Sequence, residues 1–518
     1  MLSLGEITRL NAKRVGNEIA IIWHGVRETH KKLDARTNSI ANALISMGVK
    51  KGDRVALLAS NCHQFIEVHI AASKAGAIMV PLNGMLSPGE IAHLLNHSES
   101  KVLFITSDFA HAIARISKDI PTVKEFISIG GGEGIQDYET LVSRYPVSDP
   151  LIPIDENDTA YIAYTSGTTG LPKGVMLSHR NLFSNSLNAI AACLIPVGGV
   201  EVVAFPLFFN AIFYSHVIPY LLCEGGVVIL DKFKPDLLID AINKEKPTYT
   251  TLNPTMLWDF VTHPNFKNCD MSSMKGILVA AAPISLERIE AALKATNNIL
   301  VQGYGQTECT SFATCIRPGD YNVKAPLKRA KRITSIGRPV PTLDVRVFNE
   351  KGEDVIPNGE DVGEIVIKGP SVMQGYWKQP EITAETIKDN WLYTGDLGTI
   401  DEEGFMWMVG RKKDMINSGG MKIYPEEVEN LLYTNEKIKE VAVLGRPDER
   451  WGETVTAVVV TKAGEKLTED EVIQFCRERL ASYKKPTKVI FMDALPRNAS
   501  GKVKKNELSD KLPKSEIR

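Results

Sequence analysis

The residues from Tyr164 to Val175 combine three kinds of group that suit an anion. Thr165, Ser166, Thr168 and Thr169 bring hydroxyl donors, Gly167 and Gly170 let the backbone curl, and Lys173 adds a point charge. Glycine lets successive N–H groups turn toward one anion, and lysine supplies charge to a phosphate. The run follows a strand-like stretch, Thr159 to Ala163. It is not a Walker A loop, because Lys173 is followed by Gly174 rather than Ser or Thr. The residue types and spacing predict a phosphate loop after that strand.

Four further clusters follow along the chain. Gln302 to Glu308 contains Gly303, Tyr304, Gly305, Gln306 and Thr307. Tyr304 offers an aromatic face to a purine, and the oxygens of Thr307 and Glu308 suit Mg²⁺. Asp396 follows Gly395 in a predicted tight turn, where a carboxylate can accept bonds from two sugar hydroxyls. Gly410 to Gly420 carries Arg411, Lys413, Gly419 and Gly420. Pro496 to Lys502 ends in a lysine within a basic tail, with 12 Lys/Arg against 5 Asp/Glu from Cys476 onward.

In this order and these residue types, the five segments resemble the motifs of the adenylate-forming superfamily, which includes acyl-CoA synthetases, adenylation domains and luciferases. The resemblance covers essentially the whole chain. It implies a two-step reaction using ATP, Mg²⁺ and coenzyme A: a carboxylic acid becomes an acyl-adenylate, and a thiol then takes the acyl group. By the same resemblance Lys502, Thr307 and Glu308 are catalytic, and Mg²⁺ sits at Glu308 and Thr165. Nucleotide and coenzyme A contacts fall on the phosphate loop, Ala281, Ala282, Pro283, Gly303 to Gln306, Asp396, Arg411, Lys413, Gly419 and Gly420. Lys413 is similar to the family's hinge residue. Gly419 and Gly420 are similar to the loop that lines the thiol tunnel, or form a simple turn before Met421.

Two places depart from the commonest family pattern. Phe209 stands where a histidine is frequent, in Pro206-Leu207-Phe208-Phe209. Ala280, Ala281 and Ala282 replace a glycine-rich run before Pro283. The resemblance places the acid pocket at Phe208, Phe209, Phe213, Ala280 and Gly303. Val203 to Leu222 contains no Asp, Glu, Lys or Arg. An ammonium group buried there would lack a partner, so an apolar fatty, alicyclic or aromatic acid is expected rather than an amino acid. Two other readings remain open: an acyl-AMP ligase that loads a carrier protein, and a luciferase-like oxygenase or catalytically silent binding protein.

The elements that must position these groups are legible in the pattern. Arg54 to Ala59 reads as a buried strand, Asn61 to Gly76 as a helix, and Ala77 to Leu82 as a strand. A Ser87-capped helix and a strand from Lys101 to Thr106 follow. This β-α-β-α-β order implies a parallel sheet. From about residue 337 the texture becomes β-rich, with strands predicted at Asp344 to Phe348 and Gly363 to Lys368. Mixed α and β patterns return after Lys413. The expected fold is α/β: an N-terminal domain over 1–410 with a β-rich subdomain at about 337–410, then a mobile α+β domain over 411–518.

Composition agrees with an enzyme of this kind. The chain has 518 residues, net charge -2, 44% hydrophobic and 24% charged residues. That excludes a globally basic nucleic-acid binder and a highly charged disordered chain. Seven cysteines, none in a C-x-x-C pair, suit a reducing cytoplasm. Met1 to Gly16 lacks an apolar core of signal-peptide length. Polar and proline residues interrupt the most apolar stretch, Val202 to Leu230, so no transmembrane segment is expected. The expected partners are small molecules, with homo-oligomers possible.

Overall fold

The computed structural model describes residues 3–131, 135–165, 172–280, 284, 286–321, 331–497 and 503–512. The elements expected in the first hundred residues form at the predicted places. The strands Arg54–Leu58, Ile78–Pro81 and Ser100–Thr106 pair in parallel. Between them lie the helices His63–Lys74 and Pro88–Ser98. Ser87 caps the second helix in a reciprocal box with Glu90, and Pro88 occupies its first turn.

These strands belong to an eight-stranded sheet. It continues through Thr159–Thr165 and Lys173–Ser178 to the short strand Gly375–Tyr376. A nine-stranded sheet faces it. Its central strands Gly226–Ile229, Val200–Val203, Tyr249–Leu252, Gly276–Val279 and Leu300–Tyr304 are parallel. The principal core fills the space between the two sheets and takes residues from the inner face of each. Every residue of the His63–Lys74 helix is buried in it. Helices on the outer faces close two further cores.

The β-rich region is a five-stranded antiparallel sheet. It contains Asp344–Phe348, Gly363–Lys368, Trp391–Ile400 and Met406–Arg411. A last sheet follows, built on the long hairpin Ile438–Asp448 and Gly452–Thr461, with the helices Pro425–Tyr433 and Glu469–Arg477 packed on it. Between these two sheets the chain makes one short helical turn, Lys412–Asp414. All seven cysteines are free thiols. Among the described residues, no helix is long and apolar enough to cross a membrane.

Candidate active site

The loop expected to hold phosphate connects two antiparallel strands. Thr165 and Lys173 are paired across antiparallel strands, so both ends of the loop are held together. Ser166, Gly167, Thr168, Thr169 and Gly170 lie outside the described residues. Lys173 extends over the ring of Tyr376, its ammonium 5.0 Å from the centroid. The Tyr376 hydroxyl donates to Glu308 Oε1 at 2.9 Å. Thr165, Lys173, Tyr376 and Glu308 are therefore linked in one neighbourhood. Tyr376 was not singled out from sequence. It arrives because its two-residue strand pairs beside Lys173, at Val175.

Glu308 lies in the short turn Thr307–Cys309 after the strand Leu300–Tyr304. Thr310 and Ser311 then adopt left-handed backbone, with φ of 59° and 86°. Such conformations cost energy in residues other than glycine and persist where surrounding structure imposes them. Here the imposing contacts are identifiable. Thr310 donates its hydroxyl to the Ser371 carbonyl at 2.6 Å, and Ser311 N–H reaches the Gln306 carbonyl at 2.8 Å. The folded-back chain passes so close to Gly305 that a Cβ there would overlap the Ser311 backbone.

Asp396 is the centre of a second cluster. It is buried, 2% exposed. Tyr304 donates to its Oδ2 at 2.8 Å and Gln306 Nε2 to the same oxygen at 2.6 Å. Burial, then the Asp396 charge, pushes the Tyr304 hydroxyl well above its ordinary pKa, so it stays a donor. Arg411 stands opposite Asp396 in the adjoining strand, with Nε 3.2 Å from Oδ1. That ion pair is off the line a hydrogen bond needs, and Oδ1 accepts none among the described residues. One oxygen of Asp396 is thus fixed and the other keeps its acceptor capacity. Glu364, also not singled out from sequence, accepts from Gly395 N–H at 3.0 Å and pairs with Lys412 at 2.8 Å. It ties the Asp396 turn to the segment leading into the last sheet.

Lys413 lies within the Lys412–Asp414 turn, and burial lowers its pKa. Gly419 and Gly420 form the two-residue turn of a hairpin joining Ile416–Ser418 to Met421–Ile423. Their φ values of 58° and 85° are those such turns demand. Trp451 packs against Gly419, where a Cβ would lie 2.6 Å from the indole, while Gly420 borders open space. Lys502 and the Ala281, Ala282 and Pro283 run lie outside the described residues.

Near the expected acid pocket, Phe208 and Phe209 are half-buried neighbours with ring centroids 4.9 Å apart. Ala280 follows the strand Gly276–Val279, and Gly303 lies in Leu300–Tyr304. A Cβ at Gly303 would be 2.5 Å from the Phe312 ring, so Phe312 fills the space beside this glycine. The buried ring of Phe213 lies tilted against His69, 4.3 Å between centroids, and 5.9 Å from Tyr161 of the eight-stranded sheet.

Residues 8–377 match the model of the AMP-binding enzyme family, and residues 427–502 match that of the AMP-binding enzyme C-terminal domain. The chain belongs to the AMP-binding enzyme family. It is 37% identical over 505 residues to a feruloyl-CoA synthase of Amycolatopsis sp, covering 98% of each chain. It is 35% identical to a long-chain-fatty-acid–CoA ligase of Bacillus subtilis, covering 98% of this chain and 94% of the relative. Among solved structures, ATP-bound MatB from Rhodopseudomonas palustris superposes with a TM-score of 0.88 at 30% identity, covering 98% of this chain and 99% of MatB.

Proposed function

We propose that the chain activates a carboxylic acid with ATP, forming an acyl-adenylate and pyrophosphate, and then passes the acyl group to coenzyme A with release of AMP. It is an AMP-forming acid–thiol ligase. The carrying observation is the arrangement around Asp396. A buried carboxylate with one oxygen fixed by Tyr304 and Gln306, and the other beside Arg411, is suited to the two hydroxyls of a ribose. Whole-length similarity to coenzyme A ligases supports the same reading.

The first step joins two anions, so its barrier is lowered by cations and preorganised donors. Lys173 and the hydroxyls from Thr165 to Thr169 are assigned to the phosphates. Glu308 and Thr165 present hard oxygen donors, which fit Mg²⁺; the ion would neutralise phosphate charge. Lys502 is assigned to the reacting carboxylate and α-phosphate. Arg411 supports the ribose site, and Lys413 marks the hinge of a mobile domain that begins near residue 411. Gly419 and Gly420 are assigned to the passage of the thiol arm. Phe208, Phe209, Phe213, Ala280 and Gly303 are assigned to the acid. Seven free thiols, six of them buried, suit a reducing cytoplasm.

An acid panel tests this reading. Purified protein, ATP and Mg²⁺ are incubated with fatty, alicyclic and aryl acids, with and without coenzyme A. Pyrophosphate release that coenzyme A stimulates, with acyl-CoA as product, is expected. Adenylation that coenzyme A never discharges would transfer the second step to a carrier protein. Absence of pyrophosphate with every acid would overturn the reading.

A further inference from the structure

The segment from Ser371 to Trp377 joins the strand Lys173–Ser178 to the turn that carries Glu308. On one side, Gln374 N–H donates to the Met176 carbonyl at 3.0 Å and Trp377 N–H to the Gly174 carbonyl at 2.7 Å. On the other, Met373 N–H donates to the Glu308 carbonyl at 2.8 Å, and the Thr310 hydroxyl to the Ser371 carbonyl at 2.6 Å. Ser371, Met373 and Tyr376 are buried, and the Tyr376 ring joins the core between the two large sheets. Main-chain groups of the segment and core packing therefore already fasten it on both sides.

Neither the fastening nor the packing needs the Tyr376 hydroxyl, since a phenylalanine ring would fill the same space. Yet that hydroxyl ends 2.9 Å from Glu308 Oε1, and the ring face carries the Lys173 ammonium 5.0 Å from its centroid. Lys173 belongs to the eight-stranded sheet, and Glu308 follows a strand of the nine-stranded one. One side chain thus meets two opposite charges from different sheets, each with a different part of itself. An aromatic face attracts a cation without a counter-charge, so Lys173 keeps its full charge. The bond to Oε1 leaves Oε2 of Glu308 to a cation. A direct pair between lysine and glutamate would spend both charges on each other.

We propose that Tyr376 is a positioning residue for ATP and its Mg²⁺: the hydroxyl orients Glu308, the ring holds Lys173, and the two charges are kept from pairing with each other. This rests on the reading of Lys173 as a phosphate ligand and Glu308 as a metal ligand. The hydroxyl and the ring then have separable effects. Losing the hydroxyl alone frees the Glu308 carboxylate to turn and weakens the part of ATP binding that depends on Mg²⁺. Losing the ring as well lets Lys173 and Glu308 meet, which weakens ATP binding even without metal.

The test measures ATP binding by calorimetry, once with Mg²⁺ and once with EDTA. The unaltered protein is expected to bind ATP more tightly with Mg²⁺. In Tyr376→Phe that gain should shrink by about tenfold, the scale of a hydrogen bond to a charged group, while binding in EDTA stays as in the parent. In a Glu308→Gln background, Tyr376→Phe should change nothing further. Tyr376→Leu should weaken binding in EDTA about tenfold as well, and adding Glu308→Gln should restore it, because Lys173 is then released. A leucine that merely loosened the fold would not be rescued by a second substitution. An undiminished Mg²⁺ gain in Tyr376→Phe, an equal loss in both media, or no rescue of Tyr376→Leu overturns the inference. So does a parent that binds ATP equally with and without Mg²⁺. A parent that binds no ATP in either medium would strike the ligase reading itself.

Discussion

Asp396 and Arg411 face each other across neighbouring antiparallel strands, with the guanidinium Nε 3.2 Å from a carboxylate oxygen that accepts no other bond among the described residues. The pair sits at the end of the β-rich sheet, one residue before the turn that leads into the last sheet. A nucleotide sugar bound there would touch the segment about which the C-terminal domain is proposed to turn.

Asp396→Asn keeps the shape of the side chain and removes its charge. Hydrogen bonds to charged groups contribute about 1.5–3 kcal/mol, so kcat/KM for ATP is expected to fall roughly 10- to 100-fold. Steady-state kinetics at varied ATP would measure this. An unchanged ATP dependence would remove Asp396 from the nucleotide site.

Lys502 and Gly420 are proposed to serve different half-reactions. Lys502→Ala should cripple pyrophosphate release while leaving attack of coenzyme A on preformed acyl-adenylate largely intact. Gly420→Leu should do the opposite, since a branched side chain would crowd the thiol arm and strain a turn at φ 85°. Measuring each half-reaction separately decides the matter. Equal losses in both halves for either variant would contradict its assignment.

Glu426 packs against Gly410, beside Lys505, Glu429 and Asp414. Burial raises its pKa to about 7, and Lys505 only partly opposes this. The folded value exceeds the ordinary carboxyl value, so the packed arrangement binds the proton more tightly. Its contribution is full below the ordinary carboxyl pKa and is lost as pH rises through about 7. Hinge-region protection in hydrogen exchange should therefore weaken between about pH 5 and 8. Glu426→Gln should flatten that dependence. A variant with the same pH profile as the parent would show another group to be responsible.

Glu67 is fully buried, bonded by Arg36 at 2.9 Å and Tyr138 at 2.7 Å, with His63 on its other oxygen. Arg36 also reaches Glu28 and Glu139. Removing one partner from such a network leaves buried charge uncompensated, at a cost of about 3–5 kcal/mol. Glu67→Ala should lower Tm by several degrees with little change in KM for ATP. A melt within a degree of the parent would show the network to be dispensable.

The parts of this fold that were legible in sequence are those with local causes. The Ser87–Glu90 box and Pro88 marked a helix start that the structure reproduces. The strands Asp344–Phe348 and Gly363–Lys368 run between the predicted ends, because alternating burial and flanking turns are local properties. Partners distant in the chain were not legible. Tyr376 reaches Glu308 across 68 residues, and Glu201 meets Thr251 across 50. Phe213 lies against His69, likewise a contact that only tertiary packing creates. Lys502 and most of the phosphate loop fall outside the described residues, so their roles rest on motif resemblance and on the half-reaction measurements.

The central claim is that ATP is cleaved between its α- and β-phosphates by an attacking carboxylate. A single-turnover experiment tests it most directly. Enzyme in excess is mixed with radiolabelled ATP, Mg²⁺ and a substrate acid without coenzyme A, then quenched. The account predicts stoichiometric pyrophosphate and enzyme-bound acyl-adenylate, converted to AMP and acyl-CoA when coenzyme A is added. Formation of ADP and inorganic phosphate, with no adenylate at any time, would contradict it.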